Sequence, residues 1–153
     1  MSEAEAVQKV KEFLKQMDLK FKHIEDKNAF VVPFFSEKTG KQFNVVVTIK
    51  EDWVTTAAIA ARREDLPRDI DEREFYRLLL VLTFELNEVT FGLTDKGDVV
   101  VHAESHVKAL SFENFKMEFG SVVFGVELFH REILPNYPKV KVPDYYSKLI
   151  YLA

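Results

Sequence analysis

Between Asp71 and Glu104 the sequence passes from a capped, almost wholly apolar helical segment into two alternating strands, and this stretch constrains the fold more than any other. Asp71 followed by Glu74 has the spacing of a capping box, which satisfies the free N–H groups of a helix's first turn. The helix it opens runs to about Glu88. At 3.6 residues per turn, Phe75, Leu79, Leu82 and Leu86 form one stripe, while Tyr76, Leu80 and Phe84 lie well round toward the other side. A single sheet buries only one of these. The second stripe either meets a partner subunit, with Tyr76, Leu80 and Phe84 as the contact, or is covered by the first helix or the tail of the same chain. Left bare it would be an aggregation hazard.

After this helix Val89, Phe91 and Leu93 alternate with Thr90, Gly92 and Thr94, and Val99, Val101 and Ala103 continue the pattern beyond Asp95-Lys96-Gly97-Asp98. Period-two alternation across a turn with a Gly suited to a left-handed position predicts a hairpin. Upstream, Phe30–Phe35, Gln42–Ile49 and Trp53–Ala60 have strand character, and Leu19–Ile24 is a possible further edge strand. Phe43, Val45, Val47 and Ile49 point one way and Gln42, Asn44 and Thr48 the other, with Val46 an exception on the polar side. Ser36–Gly40 and Lys50–Asp52 are short turn-rich links, so neighbouring strands run antiparallel. Pro33 lacks an N–H for a ladder, which puts the Phe30–Phe35 strand at an edge or a bulge.

Ser2 with Glu5 caps a first amphipathic helix over residues 3–17, with Val7, Val10, Leu14 and Met17 on one face. Ser111 caps a third, in which Phe112, Phe115, Phe119, Val122, Val126, Phe129 and Ile133 keep the helical period until Pro135 stops it. Gly120 and Gly125 inside it cost about 1 kcal/mol each relative to Ala if exposed, and close packing is one reason to keep them. Residues 135–153 hold three prolines and lack a clear period before Tyr145-Tyr146, which suggests an extended tail along the surface. The order α-β-β-β(-β)-α-β-β-α then gives a single α+β domain over residues 1–153: a mainly antiparallel sheet of five or six strands with three helices chiefly on one face.

A chain of 153 residues buries a core without metal or disulfide help. It has no Cys, which removes disulfides, thiol nucleophiles and thiolate zinc sites and suits a cytoplasmic location. A net charge of −4, with Lys and Arg interleaved among acids, offers no field for nucleic acid. The start Met1-Ser2-Glu3 lacks the basic and apolar runs of a signal peptide, and no apolar run is long enough to span a bilayer, so no membrane partner is expected.

Chemistry-bearing patterns are few. His102, Glu104 and His106 alternate along one side of a strand and could present three ligands to a divalent ion, which makes a metal-dependent hydrolase the alternative reading. With Val99, Val101 and Ala103 on the buried side, the same three residues also suit an ordinary solvated face. His106 lies near or beyond the strand end. His23 and His130 are isolated, without the spacing of a nucleophilic triad. Glu64, Asp65, Asp69 and Asp71 are mixed with Arg62, Arg63 and Arg68 around Pro67, the composition of a solvated loop. The five glycines are scattered and form no phosphate-binding or dinucleotide fingerprint, so no cofactor and no catalytic residue is assigned. Phe34, Phe35, Trp53, Tyr145, Tyr146 and Tyr151 are large enough to anchor a bound peptide where exposed. The strand edge near Phe30, Val32 and Phe34 is the candidate for accepting a client segment by strand addition.

The helix Phe75-Tyr76-Arg77-Leu78-Leu79-Leu80-Val81-Leu82 leading to Leu86-Asn87, then Phe91-Gly92-Leu93-Thr94-Asp95 and Gly97-Asp98-Val99-Val100-Val101, resembles the type III secretion chaperone-like superfamily, which includes the YbjN-like proteins and uncharacterised archaeal relatives. In such proteins a leucine-rich helix ends near an Asn and feeds an antiparallel hairpin before the final helix. The resemblance covers most of the chain as architecture. It implies a small homodimer that binds a protein or peptide client and performs no enzymatic chemistry.

Overall fold

The computed structural model describes residues 1–152. Helix α1 spans Glu3–Gln16 and is N-capped by Ser2, whose hydroxyl accepts from Glu5 N–H at 3.1 Å and donates to the Glu5 carboxylate at 3.2 Å. Three strands follow the short β1 (Lys22–Ile24), namely β2 (Ala29–Phe35), β3 (Gln42–Lys50) and β4 (Trp53–Ala61). Helix α2 covers Glu72–Glu85, then come β5 (Phe91–Leu93), β6 (Val99–His106) and α3 (Phe112–Leu128). The strands form one antiparallel sheet in the order β1-β2-β3-β4-β6-β5, so the fold is the α+β arrangement expected, with the sixth strand supplied by β1.

The alternation read from the sequence decides which side of the sheet is dry. Phe30 pairs with Val47, Val32 with Val45, Val45 with Ala58 and Ala58 with Val101, and every one of these is buried. Their neighbours Trp53, Ile59 and Glu104 emerge on the opposite face and are exposed. On the dry side Ala6, Val10 and Leu14 of α1 and Phe115, Phe119, Val122 and Val126 of α3 complete the core. The Thr94–Asp98 turn closes as its sequence requires, with Gly97 at φ +86, a conformation a side chain would strain. Gly125 answers a packing need: a Cβ there would lie 2.6 Å from Val101 Cγ1. Gly120 has open space around it, so close packing accounts for one of the two helix glycines only.

Several boundaries differ from those expected. Helix α2 ends at Glu85 rather than near Glu88, because Leu86 turns extended and Glu88 takes φ +63. The strand expected from Val89 begins at Phe91. Pro135 does not stop the third helix: after α3 the chain widens into a π-helical turn over Phe129–Ile133 and continues helically to Asn136. Leu134 N–H donates to Phe129 O, five residues back, so the ladder is already shifted where the proline could offer no N–H. Beyond Asn136 the tail is irregular to Tyr146 and then coils into a short helix at Ser147–Ile150, a local departure from the extended course expected of it.

Candidate functional site

Helix α2 is capped by Asp71, whose Oδ1 accepts from Arg73 N–H at 3.1 Å and Glu74 N–H at 3.3 Å. This start sets the rotation of both stripes. Phe75, Leu79 and Leu82 are buried, and Phe75 meets Phe129 and Tyr137 edge to face at centroid distances of 6.0 and 5.2 Å. Of the second stripe, Tyr76 is half-buried, while Leu80 is 70% exposed and Phe84 45% exposed. Among the described residues, neither α1 nor the tail buries Leu80, and Phe84 is covered only in part.

The tail nevertheless docks on this helix, through a residue that sequence reasoning passed over. Glu85 is buried, and its carboxylate accepts from the backbone N–H groups of Tyr145 at 2.6 Å, Tyr146 at 2.8 Å and Ser147 at 2.9 Å. The Ser147 hydroxyl donates to it as well. That hydroxyl first, and the three amides after it, hold the Glu85 carboxyl below its ordinary value against burial, which pushes it up. A buried carboxylate with four donors is satisfied without a cation. Tyr146 donates to Asn87 Oδ1 and sits edge-on to Phe84 at 6.3 Å, so tail and second stripe touch. The signal was present in the sequence: Glu85 falls three residues after Leu82 and one before Leu86, a carboxylate inside an apolar stripe.

At the other end of the sheet β1 pairs only with Ala29–Val31, leaving Val32–Phe35 with a ladder on the β3 side alone. Pro33 lies in that uncovered stretch, as its missing N–H requires. Phe30 and Val32 point into the core, and Phe34 is half-buried, stacked on Phe43 at 5.6 Å and tilted against Phe119 at 5.9 Å. What the edge offers to solvent is therefore its backbone together with Pro33 and Phe35, the latter 59% exposed.

The histidine strand divides. His102 Nδ1 and Glu104 share a close hydrogen bond. His106, which lies within β6 and not beyond it, accepts from Lys108 N–H at 3.1 Å through Nδ1 and meets the Trp53 ring edge-on at 5.3 Å. Among the described residues no three His, Cys, Asp or Glu side chains converge on a metal position. His23 stacks on Phe30 at 4.4 Å. His130 serves the backbone of the sheet. Ala60 is the extra residue of a bulge between Ile59 and Ala61, and its carbonyl accepts from His130 Nε2 at 2.6 Å. In the charged connection Arg63 pairs with Glu72 through Nε at 3.0 Å and Nη2 at 3.3 Å, and its N–H donates to Asp98. These contacts tie the loop to α2 and the β5–β6 turn, while Glu64, Asp65 and Asp69 stay exposed.

A family model described as CesT_Tir_1 matches residues 3–135 of this chain, and the tail lies outside the matched range. None of the curated proteins matches its sequence. Among solved structures, the chain is similar to one from the ExsC–ExsE complex, at 13% identity and a TM-score of 0.59 over 86% of this chain and 95% of that one. A chain of the HopA1–SchA chaperone–effector complex aligns at 12% identity and TM-score 0.55, covering 83% of this chain and 95% of the other. One from the heterodimeric ExoU–SpcU complex of the Pseudomonas aeruginosa type III secretion system aligns at 14% and 0.55, covering 80% and 93%. At such identities the likeness is one of fold.

Proposed function

The chain belongs to the type III secretion chaperone family, and from that premise we propose that it is a non-catalytic, chaperone-like module that acts in the cytoplasm as a homodimer on a protein or peptide client. The observation that carries this reading is the outer face of α2, where Leu80 is 70% exposed and Phe84 45% exposed. Burying one such side chain against a second copy contributes about 1.5–3 kcal/mol, so a two-fold contact that uses both gains several such terms. Tyr76, half-buried beside them, forms the flank of the contact.

The client is received at the β2 edge. Val32–Phe35 presents backbone groups that an added strand would pair, with Pro33 and Phe35 supplying the side-chain contacts and Phe30 and Val32 holding the strand from below. Likeness in fold to a chain solved in a chaperone–effector complex, and to one from a heterodimeric complex of a type III secretion system, supports a protein client. Light scattering on the purified chain tests the dimer: about twice the 17.8 kDa chain mass is expected for the wild type, and a folded monomer for Leu80→Glu. A wild type that remains monomeric at every concentration overturns the homodimer. Stoichiometric bound metal, or a hydrolytic activity lost in His102→Ala, overturns the non-catalytic reading.

A further inference from the structure

The tail after Pro135 lies outside the range shared with the family, yet it is fastened to α2 by a buried carboxylate that accepts four donors. Such a clamp uses every acceptor position on one side chain to hold a single turn of chain. The docked turn leans on Phe84 without burying it and leaves Leu80 open, so it extends the outer stripe of α2 rather than closing it. Tyr146 meets Phe84 and Tyr145 meets Tyr146 edge to face, the latter rings 6.4 Å apart, while Tyr151 borders the open hollow that Val81 and Glu85 also line. From this join the tail presents Tyr145 at 62% exposure, Ile150 at 57%, Tyr151 at 85% and Leu152 at 81%.

The area decides what such a surface is for. With Leu80 and Phe84, six large residues of helix and tail stand 45–85% exposed, a surface on the scale of the roughly 800 Å² that each partner contributes to a standard interface. We propose that Glu85 is a positioning residue that locks the segment Pro143–Leu152 onto α2, so that tail and helix form one composite face, and that a second copy of the chain occupies this face. The inference rests on the homodimer reading above and assigns part of that interface to the tail.

Hydrogen exchange and light scattering on full-length variants separate the parts. In the wild type the amides of Tyr145, Tyr146 and Ser147 should be protected; in Glu85→Gln, and in Ser147→Pro, which removes two donors from the tail side, the remaining tail amides should exchange at least about tenfold faster, with the sheet amides unchanged. Both variants should raise the dimer dissociation constant about tenfold or more. The double change Ile150→Glu with Leu152→Glu should weaken the dimer equally while leaving the three amides protected. Unchanged tail protection in both clamp variants overturns the role of Glu85. Released tails with an unaltered dimer overturn the composite face and leave the homodimer itself standing. A wild type that is monomeric, and indifferent to Leu80→Glu, removes the second copy as occupant even where the amides show the clamp intact.

Discussion

Helix α3 contains two glycines that should respond in opposite directions to the same substitution. A Cβ at Gly125 would lie 2.6 Å from Val101 Cγ1, 3.4 Å from Val101 Cγ2 and 3.2 Å from Val89 Cγ1. Val101 is fully buried and β-branched, and both its methyls border the new atom, so a rotation exchanges one clash for another. Overpacking of this kind costs about 1–3 kcal/mol, and contact this short belongs at the upper end. Ala also favours the helix by about 1 kcal/mol, which leaves Gly125→Ala destabilised by about 2 kcal/mol. At Gly120 nothing lies within 4 Å, so Gly120→Ala keeps the helical gain, about 0.5–1 kcal/mol. For a chain of this length these values correspond to a Tm lowered by about 4–8 °C at Gly125 and raised by about 1–4 °C at Gly120. Guanidinium melts of both variants, with Val101→Ala added to each, complete the test. Val101→Ala should relieve Gly125→Ala by more than about 1 kcal/mol relative to additivity and should be additive with Gly120→Ala. A Gly125→Ala protein as stable as the wild type, or no coupling to Val101, would refute the close approach of α3 to β6.

Tail docking should depend on pH through Glu85. Its folded carboxyl lies below the ordinary glutamate value, so its contribution is present above that value and is lost as pH falls through the folded one; Asp144, paired with Lys148 at 3.4 Å, and Tyr151 are the other titratable groups facing it. Protection of the Tyr145–Ser147 amides should vanish in acid for the wild type, and protection that persists after Glu85 is protonated would refute this. His130 should titrate below an unfolded-chain histidine, because burial depresses it more than the Ala60 hydrogen bond raises it. Folding thus favours the neutral ring, and stability falls as pH drops from the ordinary histidine value toward the folded one; an NMR titration midpoint at or above the ordinary value contradicts it. Phe75→Ala should cost about 3–5 kcal/mol, since the ring is fully buried where α2 meets Phe129 and Tyr137, and a loss under about 1 kcal/mol in a denaturant melt would refute that packing.

Much of this molecule was readable from local pattern. Capping by Ser2, Asp71 and Ser111, the alternation of β3 and β6 and the left-handed turn at Gly97 each follow from interactions between residues close in sequence, which periodicity and turn chemistry report directly. The two stripes of α2 were equally legible, because helical geometry converts spacing into direction. What the pattern could not supply was the identity of contacts between distant segments. Pro135 reads as a helix stop unless the π turn before it has already shifted the ladder. His130 looks idle until the bulge at Ala60 frees a carbonyl 70 residues away. Glu85 stands out in sequence as a carboxylate inside an apolar stripe, but only the return of the tail shows which groups meet it there. Sequence by itself determined the elements and their apolar faces, because those depend on neighbours within a few residues. The tertiary structure alone decided which polar groups would be buried and by whom they would be met, because a hydrogen bond between remote segments leaves no periodic trace in either of them.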